Sequence, residues 1–292
     1  MPPKIKPPQS GPRDVPLFQK LLRNRSGTVG LVLVVFYVVI GLLGGFGVTP
    51  YPSLEQHAPD RLQGPSETYA LGTDIFGRDV ASRLMEGAAN SLRVSVMSVV
   101  LATLVGTAIG TVAGYVGGRV DNITMRIMDI FFALPALLLA LLVVTVLGPG
   151  INSTVLAIAV VYTPIFARVA RGPVLSVKAM EFITATRCLG TQEWRILLRH
   201  VLPNTLAPLI VQVSLALSWA LLTEAGLSFL GLGTQPPNAS WGVMLSESRG
   251  ISELAPWLMI APGVAIMLGV LGFNLLGDGL RDILDPRMRG RV

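Results

Sequence analysis

Six runs of apolar residues, each about long enough to cross a bilayer, constrain this chain more than any other feature. They lie near 28–48, 94–116, 127–147, 152–171, 206–228 and 256–277. A helix rises ~1.5 Å per residue, so roughly 20 residues cover a hydrocarbon core about 30 Å thick. That core holds no water for backbone N–H and C=O groups, so each run is expected to be a helix. Thr163-Pro164 interrupts the fourth run. It reads as a packing kink, with a gating hinge as the alternative. Charged residues are only 14% of the chain and hydrophobic ones 51%, whereas soluble domains carry about 25% charged residues. The expected class is all-α and polytopic, with six transmembrane helices.

A net charge of +6 raises the possibility of nucleic acid. The basic residues flank the apolar runs rather than cover one polar domain, so nucleic acid is rejected. With the N-terminus in the cytoplasm, the same side receives Lys4, Lys6, Arg13, Lys20, Arg23 and Arg25, then Arg119 and Arg126. It also receives Arg168, Arg171, Lys178, Arg187, Arg195 and Arg199, and finally Arg281, Arg287, Arg289 and Arg291. Only Arg61, Arg78, Arg83, Arg93 and Arg249 remain outside or at the outer boundary, so both termini are expected in the cytoplasm. The proline-rich tail reads as disordered to about Asp14. Val15 to Arg25 suits a short helix on the inner leaflet or plain basic flanking of the first span. A cleaved signal peptide is not expected, because the apolar run is too long and Phe46-Gly-Val-Thr-Pro is no small-residue cleavage site.

Several chemistries find no support in the sequence. Cys188 stands alone, so no intramolecular disulfide forms, and no Cys/His spacing resembles a zinc site. The loop Leu71-Gly-Thr-Asp74-Ile-Phe-Gly77-Arg78-Asp79-Val-Ala-Ser-Arg83 lacks the calcium-loop pattern. Asp/Arg pairs that order the loop are expected instead. Gly226-Leu-Ser228-Phe-Leu-Gly231 is not a nucleophile elbow, and His57 and His200 fall on opposite sides of the membrane. No G-x-x-x-x-G-K-[ST] phosphate loop occurs, and no catalytic residue, cofactor or metal ligand is assigned. Gly106, Gly110 and Gly114 form a small-xxx-small series suited to helix packing. Trp241 and Trp257 read as interfacial anchors, or their loop meets a soluble partner outside. Asp129, at the start of the third span, and Glu224, late in the fifth, are either interfacial side chains or part of a substrate path. Asn274 and Asp278 are expected to bind neighbouring backbone.

The stretch from Glu181 to Asn204 is polar and basic, yet lies between spans. Trp194, Leu197, Leu198 and Val201 recur at i, i+3, i+4, i+7, one face of a short helix, with Arg195 and Arg199 on another. Gly190 supplies a turn between two short helices. Thr191 is positioned to cap the second, Glu193 complements its dipole, and Pro203 stops it. Such an elbow either grips a partner at the membrane surface or rests on lipid.

This stretch resembles the cytoplasmic "EAA" coupling loop of bacterial ABC-importer permeases, with Gly190 as the loop's glycine. Together with Leu71–Asp79, Glu224–Pro237 and Leu276–Pro286, it makes the chain similar to the C-type permease subunit of dipeptide/oligopeptide/nickel importers. The resemblance runs from about Phe18 almost to the end. Thr184-Ala185-Thr186 and Cys188 depart from the usual acidic-or-small and alanine pattern, without threatening the docking role. The resemblance implies a type I importer permease fold in the bacterial inner membrane. Its expected layout is a tail at 1–26, a first span at 27–48, an external loop at 49–93, a five-helix core at 94–280 with the coupling loop at 172–204, and a tail at 281–292. It also implies a B-type permease as heterodimer partner, two ATP-binding subunits, an extracytoplasmic solute-binding protein and a peptide-like substrate. Nickel chelates, glutathione and haem-like ligands are the alternative cargoes, and a stand-alone secondary transporter is the alternative class, disfavoured because the charged candidates lie near span ends rather than mid-membrane. Glu181, Ala185, Gly190, Trp194, Arg195, Arg199 and Pro203 are the residues expected to couple to the ATPases.

Overall fold

The computed structural model describes residues 17–284. The proline-rich stretch before Leu17 and the basic tail after Leu284, with Pro286 of the last motif, lie outside them. The described residues hold α1 (Leu17–Arg23), α2 (Arg25–Gly45), α3 (Val80–Val116), α4 (Gly118–Phe132), α5 (Ala136–Leu147) and α6 (Ile151–Lys178). Next come α7 (Glu181–Cys188), α8 (Glu193–Ile196), α9 (Leu206–Phe229), α10 (Trp241–Ser248) and α11 (Trp257–Leu284). Helices α2, α3, α6 and α11, and the run of helix ending in α9, are each long and apolar enough to span a membrane.

The third span differs from expectation: α4 and α5 meet at a 91° bend. Pro135 cannot donate a backbone hydrogen bond and disfavours helical geometry at Leu134, so the helix restarts after it. The apolar run continues through the break, which is why hydropathy alone does not reveal it. Asp121 of α4 meets Arg171 of α6 through two bonds of 2.5 and 2.6 Å, and Asp129 pairs with Arg168. Pro164, by contrast, lies within a continuous α6.

Helix α2 is inside out relative to a soluble helix. Gly27, Gly30, Tyr37, Gly41 and Gly44 face the protein, while Val32, Val35, Phe36, Val39 and Leu42 are exposed. A side chain at Gly30 would run into the backbone of Leu275 and Leu276, and one at Gly44 into Met85. Small residues let backbones approach closely where lipid removes the usual drive to bury large ones. Asn24 caps α2 by accepting from Gly27 N at 3.0 Å and ties it to α11 through Asp282 at 3.1 Å. In α1, Leu21 is buried over Gly27 while Leu22 is exposed, so α1 packs against protein on one side.

Helix α3 begins at Val80, well ahead of position 94, because Asp79 caps it by accepting from Ser82 N at 2.8 Å. Its polar first turns bury against loops rather than lipid. Further along, Gly106, Gly110 and Gly114 lie against α6. A Cβ on Gly110 would fall inside the Ala167 carbonyl, and one on Gly106 would meet Phe166 Cβ at 2.6 Å.

At the start of α3 the expected Asp/Arg pairs form. Arg78 Nε donates to Asp74 at 2.6 Å and Arg83 Nε lies 3.6 Å from the same carboxylate, while Arg83 Nη2 also donates to Glu247 of α10 at 2.8 Å, a partner outside the loop. Trp241 is no interfacial anchor. It is 1% exposed, edge-on to Tyr37, and its indole N–H donates to Leu84 O at 3.1 Å. Trp257 is half-buried and donates to Thr73 O at 3.3 Å. Asn274 and Asp278 make no side-chain hydrogen bond among the described residues.

Gly110→Leu is expected to destabilise the purified chain by ~3 kcal/mol or more, since only backbone movement can make room. Gly263→Leu, in α11 with nothing within 4 Å, should leave stability unchanged. Survival of monodisperse protein after heating in detergent reads both.

Candidate functional site

The Glu181–Pro203 segment folds as an elbow at the end of the molecule where α3 and α6 finish. Gly190 turns the chain at φ +79°, a region that favours glycine. Beneath the elbow, Ile183, Ile196 and Val201 pack with Val174 and Val177 of α6. Its outer surface holds all seven residues singled out from sequence. Glu181, Ala185, Gly190, Trp194, Arg195, Arg199 and Pro203 are each exposed. Phe182, Leu189 at 86% exposure, and Leu198 lie among them. The result is an apolar surface edged by arginines, which no other part of the described chain covers.

Three details of the elbow differ from the sequence reading. Trp194, Leu197, Leu198 and Val201 do not share a face: Val201 is buried, Leu197 half-buried, and Trp194 and Leu198 are exposed. The reason is a π-turn over Leu197–Val201, which breaks the 3.6-residue period. Thr191 does not cap α8. The cap position is Gln192, whose side chain instead accepts from the Trp194 indole at 2.7 Å. Pro203 does not stop the helix either. It sits in a 3-10 turn, Leu202–Thr205, that runs on into α9.

Glu193 does more than complement a dipole. Arg187 of α7 donates to its Oε1 from Nε at 2.9 Å and to its Oε2 from Nη2 at 3.3 Å, and the Tyr115 hydroxyl also donates to Oε2. These bonds, Glu193 first and Tyr115 second, hold the Arg187 guanidinium above its ordinary range. Lys178 donates to the Tyr115 carbonyl. Tyr115 and Lys178 escaped the sequence reading. Tyr115 lies 78 residues from Glu193, and no local pattern marks it.

Of the two candidates for a substrate path, Glu224 faces the chain's own interior. It is fully buried, accepts from Ser228 Oγ at 2.7 Å, and neighbours Ser91 and Ser240. It is therefore not an interfacial side chain. Asp129 is exposed on α4 beside an exposed Arg168. No group of three or more His, Cys, Asp or Glu side chains converges among the described residues. Glu224→Gln keeps an acceptor for Ser228 and is expected to assemble normally. Glu224→Ala, which opens a cavity and strands that hydroxyl, should cost about 2–4 kcal/mol and lower the yield of folded protein. Size-exclusion profiles of the two variants distinguish these outcomes.

The family model for the binding-protein-dependent transport system inner membrane component matches residues 106–290. The dipeptide transport system permease protein DppC of Alkalihalophilus pseudofirmus is 44% identical over 93% of this chain and 89% of its own length. The di/tripeptide transport system permease protein DppC of Pseudomonas aeruginosa is 41% identical over 95% and 94%. The glutathione transport system permease protein GsiD of Pectobacterium atrosepticum is 41% identical over 93% and 90%. Among solved structures, an inward-facing form of the MetNI methionine ABC transporter superposes with a TM-score of 0.54 at 18% identity. It covers 69% of this chain and 96% of that one, a likeness of fold alone.

Proposed function

The chain belongs to the family of binding-protein-dependent transport system inner membrane components, and from that premise we propose that it is a permease subunit of an ATP-driven importer of di- and oligopeptides. The observation that carries the reading is the elbow's uncovered surface, where apolar side chains stand among Arg195 and Arg199. A surface of that kind suits a soluble partner with an apolar cleft and acidic rim. The relatives named for dipeptide and di/tripeptide transport match nearly the whole chain and support small peptides as cargo. Glutathione, the cargo named for another relative, is itself peptide-like and is the second reading.

In this function both termini and the elbow face the cytoplasm, as the arginine and lysine distribution favours. Glu181, Ala185, Gly190, Trp194, Arg195, Arg199 and Pro203 receive the motion of two ATP-binding subunits. A second permease lines the path with this one, and an extracytoplasmic binding protein delivers substrate to the opposite face. Glu224 and Asp129 are the candidates for the substrate path. The layout follows the same reading: tail 1–26, span 27–48, external segment 49–93 that includes the first turns of α3 from Val80, core 94–280 with the coupling loop 172–204, and tail 281–292. ATP hydrolysis belongs to the separate subunits.

Gly190 tests this directly. Nothing lies within 4 Å of a Cβ built there, so Gly190→Trp meets no clash inside the chain. Its left-handed geometry costs only ~1–2 kcal/mol. The variant is expected to insert and to pair with the second permease, but to lose ATP-dependent peptide uptake in proteoliposomes. Uptake coupled to hydrolysis at the wild-type level would refute the docking assignment.

A further inference from the structure

We infer that Tyr115 is the positioning residue through which the elbow moves α3, and that α3 carries this motion to the loops at the opposite end of the molecule. The inference rests on the importer function proposed above. Tyr115 is the penultimate residue of α3. Its hydroxyl donates to Glu193 of α8 and stands 3.4 Å from Arg187 Nη2 of α7. Arg187 itself is held by Glu193 at 2.9 Å. One carboxylate therefore joins both arms of the elbow to the end of α3. Lys178, the last residue of α6, grips the Tyr115 backbone carbonyl, and its ammonium lies 5.6 Å from the ring centroid.

Besides its direct junction with α6 at residues 178–181, the elbow has two routes to the rest of the bundle. The covalent route enters α9 through the π-turn at Leu197–Val201 and the 3-10 turn at Leu202–Thr205. The 3-10 turn has poorer hydrogen-bond geometry than an α-helix, and both turns interrupt the regular α-helical ladder. The Tyr115 route consists of hydrogen bonds to charged groups, which fix direction as well as distance. It enters an unbroken helix of 37 residues, roughly 55 Å long at the α-helical rise. That helix is stiffened by its glycine contact with α6. Its far end is tied to the segment between α9 and the end of α10. Asn90 Nδ2 donates to Ala239 O at 2.7 Å, and Arg83 Nη2 donates to Glu247 at 2.8 Å. A shift of the elbow is thus delivered to residues 239–247 without passing through those two turns.

The test uses the full transporter reconstituted in proteoliposomes with its ATP-binding subunits, partner permease and binding protein. Import of a labelled dipeptide mixture and ATP hydrolysis are measured together for the wild type, Tyr115→Ala, Tyr115→Phe and Glu193→Gln. The ATP-binding subunits are expected to co-purify with all four, and hydrolysis to persist. Dipeptide imported per ATP should fall at least about fivefold in Tyr115→Ala and Glu193→Gln, within the usual range of coupling between sites. Tyr115→Phe, which keeps the ring, should fall less. An unchanged ratio in both Tyr115→Ala and Glu193→Gln overturns the inference. So does loss of the ATP-binding subunits from both, which would make the cluster part of the docking surface. If Tyr115→Ala fails to accumulate, Glu193→Gln reads the same contact. Failure of the wild type to import in this assay refutes the importer function itself, whereas wild-type import with unaltered variants refutes only the role of Tyr115.

Discussion

Backbone contact between α3 and α6 at Gly106, Gly110 and Gly114 is the constraint on which the rest of the structure depends. It brings two long spans close together, with Gly110 against the Ala167 backbone and Gly106 and Gly114 against Phe166, Arg171 and Val174, so van der Waals contact runs along the seam. α3 then organises the end where it begins, through Asp79, Arg83 and Asn90. α6 delivers the chain into the elbow and supplies Val174 and Val177 as the floor on which it rests. A similar backbone approach at Gly30 and Gly44 fastens α2 to α11 and α3. The large apolar side chains released from these contacts are the ones left facing lipid.

The two ends of the bundle are built differently. Around Trp241 the chain is closed. Arg78 and Arg83 are paired with Asp74 and Glu247. Charges taken out of water need such partners. At the elbow the chain is open. A small apolar floor of Ile183, Ile196 and Val201 and the Tyr115–Glu193–Arg187 bonds anchor it, and its upper surface is uncovered. A permease driven from outside itself requires this contrast: one end able to be pushed, and a stiff connection that moves the other.

Hydropathy made five spans legible, and the glycine spacing in α3 announced a helix contact that the structure contains. The Asp/Arg pairing of the 71–83 loop was equally readable, because short polar segments with matched charges have few alternatives. The missed features share one cause. Hydropathy measures whether a residue can be buried, but not what buries it. The first turns of α3 are polar because other parts of the chain cover them, Trp241 is enclosed by protein rather than placed at an interface, and Glu224 is fully buried with Ser228 donating to it. The break at Pro135 falls inside an unbroken apolar run. At the elbow, a fixed 3.6-residue period was imposed on a segment that changes period at Leu197. All seven proposed coupling residues nevertheless lie on one exposed elbow, because Gly190 and the basic composition locate the segment even where helical phase does not.

The sole cysteine of the chain, Cys188, is exposed on α7, which allows the central claim to be tested without any mutation in this subunit. Vesicles of either orientation are treated with a membrane-impermeant maleimide, with and without the ATP-binding subunits. If the elbow is the surface at which a cytoplasmic motor docks, Cys188 is labelled only in inside-out vesicles stripped of those subunits and is protected when they are added back. Labelling from the opposite face of the membrane, or equal labelling with the subunits present, would contradict the account.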